Sequence, residues 1–208
     1  MVGGPVYYRL SEDLVLKTRW SPKLVKPGEK ALIIGSGEAF PPSHPTTRLC
    51  LDLLRETLAP KPADSLVDVG CGTGILGLAA AALGVSRVVA VDLQSAAVRV
   101  TQENARENGL AGTLQVVQGS TECLRGPFDL VVANLPWEVQ MGKVSELLRL
   151  AGSRGRLILS GFRDHQEAAL LKEYLKSGRS LLARRVKDFY HPELPVDMSF
   201  NWVAWLLA

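Results

Sequence analysis

The stretch SLVDVGCGTGILGLAAAALG, residues 65–84, decides the fold. A short apolar run from Ser65 to Val69 stops at Gly70, Gly72 and Gly74, and from Ile75 the chain continues as Leu and Ala suited to a helix. Glycines at alternate positions let a backbone turn sharply and come close to a ligand. The helix that starts behind them presents unpaired N–H groups. A nucleoside or a carboxylate is the kind of ligand such a turn receives, although a tight β–α turn with no ligand has the same pattern. The spacing differs from the G-x-G-x-x-G of nicotinamide sites, and the lysine of a G-x-x-x-x-G-K-[ST] loop is missing, which argues against a dehydrogenase and an ATPase.

Outward from this turn, short β-branched runs alternate with longer helical ones. Strands are expected at 65–70, 87–92, 114–119, 128–134, 155–161, 180–190 and 201–208, with helices at 75–83, 95–108, 142–150 and 164–177. This alternation predicts an α/β fold: a doubly wound, seven-stranded, mostly parallel, Rossmann-like sheet. The last two strands are joined by HPELPVD (191–197), whose prolines suit a turn better than a crossover helix, so they should pair antiparallel at one edge. Upstream, VYYRL and LVLKTRW read as short strands or a hairpin, and ALII as another strand feeding a Gly/Pro-rich loop. A helix is expected over 46–58, with Leu49, Leu53, Leu54 and Leu58 nearly on one face. The chain thus divides into an N-terminal extension, 1–45, read as a lid or substrate-positioning piece, and a main domain, 46–208.

Two hundred and eight residues carry 24 Lys and Arg against 21 Asp and Glu, a net charge of +3, which fits neither a disordered polyelectrolyte nor a histone-like binder. Three cysteines without a C-x-x-C pair, and three histidines without an H-E-x-x-H run, predict no disulfide scaffold and no metal site. With no signal-peptide pattern and no apolar run of membrane-spanning length, the expected location is the cytoplasm. Nothing in the chain specifies an oligomeric state.

Two further places carry chemistry. Asp92 ends the next strand, where an acid can accept both hydrogen bonds of a ribose diol or cap the following helix, and Leu93 follows it. Ser120 and Thr121, after the third strand, stand where an adenine ring would be held, or act as caps. The second anchor is Asn134-Leu135-Pro136-Trp137, directly after the buried run FDLVVA. The Asn134 side chain and the Leu135 carbonyl can accept hydrogens from a planar NH2, with Trp137 stacked over the plane. The competing reading is a strand-ending Pro136 and a core Trp137. Glu138 is the neighbouring candidate to orient an amine or take its proton, or a solvated surface acid. Cys71 reads as a small filler, and Trp202 and Trp205 as packing for the edge strand.

The runs DVGCGTGILGLAAAALG, VVAVD and FDLVVAN resemble class I S-adenosylmethionine-dependent methyltransferases. More narrowly, AFPPSHPTTRLCLDLL, GILGLAAA, LILSGF followed by Gln166, and NWVAWLLA are similar to the ribosomal protein L11 methyltransferase family, over roughly residues 38–208. The resemblance implies S-adenosyl-L-methionine as cofactor and a seven-stranded sheet with a terminal antiparallel strand. It also implies that Thr47 lies beside the methionine end, that Asp68, Gly70, Cys71, Gly72 and Gly74 shape the pocket, that Asp92 binds the ribose, and that Asn134 borders the transferred methyl. There are two departures. Only a short extension stands where that family carries a separate N-terminal substrate domain, and NLPW replaces the usual Asn-Ile-Leu. NLPW looks more like the Asn-Pro-Pro-Tyr of amide and base amino methyltransferases or the Asn-Leu-Pro-Tyr of ribosomal RNA adenine dimethyltransferases.

The leading expectation is N-methylation of an amino or amide nitrogen on a ribosomal or translation protein. An RNA or DNA base N-methyltransferase is the alternative, favoured by NLPW and by a C-terminal third with 11 basic and 7 acidic residues. A non-catalytic cofactor-binding scaffold and a small-molecule acceptor are the remaining alternatives.

Overall fold

The computed structural model describes residues 6–35, 42–189 and 200–208. The turn HPELPVD and most of the Gly/Pro-rich loop before His44 lie outside the described residues. The chain begins with β1 (Tyr7–Arg9), β2 (Leu14–Thr18) and β3 (Lys30–Ile34), a small sheet in which β1 and β2 run antiparallel and β2 and β3 parallel. Then come α1 (Pro45–Leu58), β4 (Ser65–Val69), α2 (Ile75–Ala82), β5 (Arg87–Asp92), α3 (Ser95–Glu107), β6 (Leu114–Gln118) and β7 (Leu130–Asn134). The remainder is α4 (Trp137–Ala151), β8 (Arg156–Arg163), α5 (Asp164–Lys176), β9 (Leu181–Phe189) and β10 (Phe200–Leu207).

The main sheet has seven strands in the order β6-β5-β4-β7-β8-β10-β9. All its pairings are parallel except those of β10, which runs antiparallel to both β8 and β9. Every residue of β4 is buried because helices cover both faces of the sheet. Alternation along the strands feeds two cores: Leu66, Leu130 and Ile158 pack with α1 and α2 on one face, and Val67, Val131 and Leu157 with α4 and α5 on the other. The same alternation parts the two C-terminal tryptophans. Trp205 is fully buried on the α4–α5 face against Phe162, whereas Trp202 lies on the α1 face with its ring edge-on to His44.

The N-terminal extension shares the α1–α2 core through Leu16, Leu32 and Ile34, and the Tyr8 hydroxyl donates to Asp52 on α1 at 2.6 Å. Asn104 of α3 and Asn108, the C-cap of that helix, hold β3. Asn108 accepts from the Ile33 N–H and donates to the Ile33 carbonyl, both at 2.7 Å. Asn104 treats Gly35 the same way and also donates to the Thr73 carbonyl, so one buried amide joins the end of β3 to the glycine turn.

One helix differs from its sequence expectation. The run expected at 142–150 begins at Trp137, because Pro136 precedes the helix as its N-cap instead of only ending the strand. Proline has no N–H to lose at a helix start and its φ already suits one.

Candidate active site

A cavity of about 490 Å³ opens at the carboxyl ends of β4, β5, β6 and β7, next to the β4–β7 boundary where the strand order reverses. This is the crevice in which open α/β sheets bind ligands. From the β4 turn, Asp68, Gly70, Cys71 and Gly72 line it; Gly74, at the N-cap of α2, does not. The turn is fixed by main-chain bonds, since the N–H groups of Gly70 and Cys71 both reach the Val91 carbonyl of β5. Gly70 has a φ of 71°, and a Cβ there would stand 2.3 Å from the Leu135 side chain, so only glycine fits.

Asp92 accepts the Gly72 N–H on Oδ2 at 3.0 Å and the Gln94 N–H on Oδ1 at 2.9 Å. Each oxygen therefore keeps a further lone pair, while the two amides fix the carboxylate. Asp68 is buried, and its carboxylate accepts from the Gly77 N–H at 2.9 Å. Burial pushes its pKa up to about 7, the Gly77 bond opposes this, and the negative charge of Asp92 adds to it. Burial also pushes the Cys71 thiol up, and its sulfur lies 3.4 Å from the Thr101 hydroxyl, in keeping with a filler.

Leu93, Ser120 and Thr121 line the far end of the cavity, Leu93 as an exposed apolar lip. Lys143 of α4 reaches across to donate to the Ser120 hydroxyl at 3.1 Å and to pair with Glu122. On the other side stand Thr47, Asn134, Leu135 and Pro136. The Asn134 side chain makes no hydrogen bond among the described residues. Trp137 and Glu138 do not line the cavity: the Trp137 indole N–H donates to the Gln166 carbonyl of α5 at 3.1 Å, and Glu138 is exposed. The expectation placed Trp137 over the acceptor; in the structure α4 starts at that residue and turns its ring onto α5.

The sequence profile described as "Ribosomal protein L11 methyltransferase (PrmA)" matches residues 5–187. The chain belongs to the ribosomal protein L11 methyltransferase family. A ribosomal protein L11 methyltransferase of Geobacter sulfurreducens is 38% identical over 176 residues, 84% of this chain and 57% of that protein. One from Thermotoga neapolitana is 35% identical over 179 residues, 86% of this chain and 66% of that protein. The chain thus spans little more than half the length of the Geobacter relative. A crystal structure of ribosomal protein L11 methylase from Lactobacillus delbrueckii subsp. bulgaricus superposes with a TM-score of 0.77 at 24% identity, covering 97% of each chain, and shares the fold. The family match includes β1–β3, where the sequence resemblance began only near residue 38.

The cavity wall also includes residues that the sequence reading did not assign to it, among them His44, Thr46, Val139, Lys143, Gly161 and Trp202, the last read only as packing for the edge strand. His44 caps α1 by accepting from the Thr46 N–H, and burial lowers its pKa. Its place three residues before Thr47, in the run HPTTR, was the one clue. Among the described residues no three His, Cys, Asp or Glu side chains come together as metal ligands, and no helix is long and apolar enough to cross a membrane.

Proposed function

We propose that the chain methylates a nitrogen of a protein, in the first instance a ribosomal protein in the cytoplasm, with S-adenosyl-L-methionine as donor. The observation that carries this reading is the pairing of a ribose-ready Asp92 with an unengaged Asn134 across one cavity, in a chain of this family. The cavity volume suits a nucleoside-bearing ligand, and the donor set is that of a ribose and an adenine rather than of a phosphate. When bound, the cofactor supplies a methyl group on a positively charged sulfur, which a neutral nitrogen can take directly.

Asp92 would hold the ribose diol, Ser120, Thr121 and Leu93 would border the adenine, and Thr47 with the glycine turn would confine the methionine end. Asn134 offers its side-chain oxygen to an N–H of the incoming nitrogen, which sets where the lone pair points and limits its motion. As positive charge grows on that nitrogen, the same dipole is already in place. An alkylammonium has to lose its proton first. Glu138 stands outside the cavity wall and is not placed to receive it there.

Labelled methyl transfer to an extract of cells lacking this gene, followed by protease or nuclease digestion, tests the reading. Protease-sensitive label is expected. Nuclease-sensitive label overturns the protein acceptor, and cofactor binding without label in either pool moves the function to a small acceptor or a scaffold.

A further inference from the structure

The link between β7 and α4 is held by a side chain that no motif singled out. Gln140, fully buried in the first turns of α4, donates through Nε2 to two main-chain carbonyls, Leu135 at 2.9 Å and Ser160 at 2.5 Å. Its Oε1 is buried without a partner among the described residues. An amide held at the cost of an unpaired oxygen is held for its donor end, and two carbonyls fix which end faces them. The Leu135 oxygen also meets Gly161, whose φ is +102°; a Cβ placed there would come within 2.1 Å of it. That oxygen is therefore already engaged by an amide and crowded by a Cα–H, although Leu135 itself borders the cavity.

We propose that Gln140 is a positioning residue that sets acceptor selectivity: it withdraws the Leu135 carbonyl from the reacting nitrogen and leaves the Asn134 side chain as the hydrogen-bond acceptor there. A site of that kind favours a flexible alkyl amine over the planar amine of a nucleobase. A planar NH2 holds both hydrogens in the plane of its ring, and once buried it needs two fixed acceptors. A hydrogen left unpaired costs on the order of tenfold in rate or affinity. An alkyl amine rotates, gives one hydrogen to Asn134 and turns the other to water. NLPW, read alone, suggested a two-acceptor platform for a base; Gln140 removes one of the two. The inference rests on the methyl-transfer reading and deepens it.

The test compares the full chain with Gln140→Met, which keeps the length and loses the donor, and Gln140→Glu, which donates only when protonated. The acceptors are the protein fraction of the gene-deleted extract and a single-stranded adenine-containing RNA oligonucleotide, and cofactor affinity is measured by calorimetry. The wild-type protein should label protein and not the oligonucleotide. Gln140→Met frees the Leu135 carbonyl and should raise oligonucleotide labelling relative to protein labelling about tenfold, with cofactor Kd within about twofold. Gln140→Glu should return towards the wild-type ratio as pH falls from about 8 to about 6, because a buried carboxyl there takes up a proton readily and then donates again. A purely structural role would slow both acceptors alike and leave that ratio unmoved, and Gln140→Glu carries the test if Gln140→Met fails to fold. The proposal is overturned by an unchanged ratio in Gln140→Met, by cofactor Kd worsening in step with it, by a flat pH response of the ratio in Gln140→Glu, or by comparable labelling of the two acceptors by the wild-type protein. Failure of the wild-type protein to label either acceptor overturns the methyl-transfer reading, and this inference with it.

Discussion

The two sides of the cavity are fastened by different means. On the β4–β5 side main-chain groups and one carboxylate do the holding: Gly70 and Cys71 bond the Val91 carbonyl, and Gly72 bonds Asp92. On the β7–β8 side the holding is done by the Gln140 side chain and by the room that Gly161 leaves. A main-chain turn needs only its glycines and its acid, so it survives wide sequence change and belongs to the fold. A side-chain brace depends on one particular residue, so a single substitution there can change what the site accepts.

This comparison breaks first at Asn134. Asn134→Ala should slow methyl transfer on the order of 100-fold or more while cofactor Kd stays within about twofold, measured by single-turnover labelling and calorimetry. A matched loss of affinity would mean that the two sides are one unit. Asp92→Ala tests the other side and should weaken cofactor binding by roughly 10- to 100-fold, from lost hydrogen bonds to a charged group. If it affects kcat alone, the ribose assignment fails.

A smaller effect concerns Asp68. Its folded pKa of about 7 stands above the ordinary 3.8, so between these values the folded protein binds more protons than the unfolded chain. That contribution to stability is fully present below about pH 4 and is lost as pH rises towards about 7. Thermal unfolding of the ligand-free protein should therefore show Asp68→Asn falling less than wild type over that window; equal slopes would refute the shift. The smallest effect is expected at Glu138: Glu138→Gln should keep its rate within about twofold at neutral pH, because an exposed acid outside the cavity wall has little to act on. A tenfold loss would restore it as the proton acceptor.

Much of this was legible from the sequence, for a physical reason. Strands buried on both faces read as apolar runs, and a ligand turn reads as alternate glycines, so β4, the turn and Asp92 are visible without coordinates. The antiparallel pairing of β9 with β10 at one edge followed from loop composition, whereas the order of the strands came only with the structure. What stayed hidden depended on helix phase and on contacts distant along the chain. Taking Pro136 as an end and not a beginning displaced the start of α4 by five residues, from Gly142 to Trp137. That shift swings Trp137 onto α5 and brings Gln140 beneath the loop and Lys143 to the cavity. His44 and Trp202, which meet with ring centroids 4.9 Å apart, come from opposite ends of the chain, and no local pattern announces such a pair.

Asn104 ties the Thr73 carbonyl of the glycine turn to Gly35 at the end of β3, and Asn108 ties Ile33 beside it. A ligand that stills the turn therefore stills the strand end as well, with no contact of its own there. The amide hydrogens of Ile33 and Gly35, caught on these two asparagines, become remote reporters, trading with solvent deuterium more slowly once the cavity is filled.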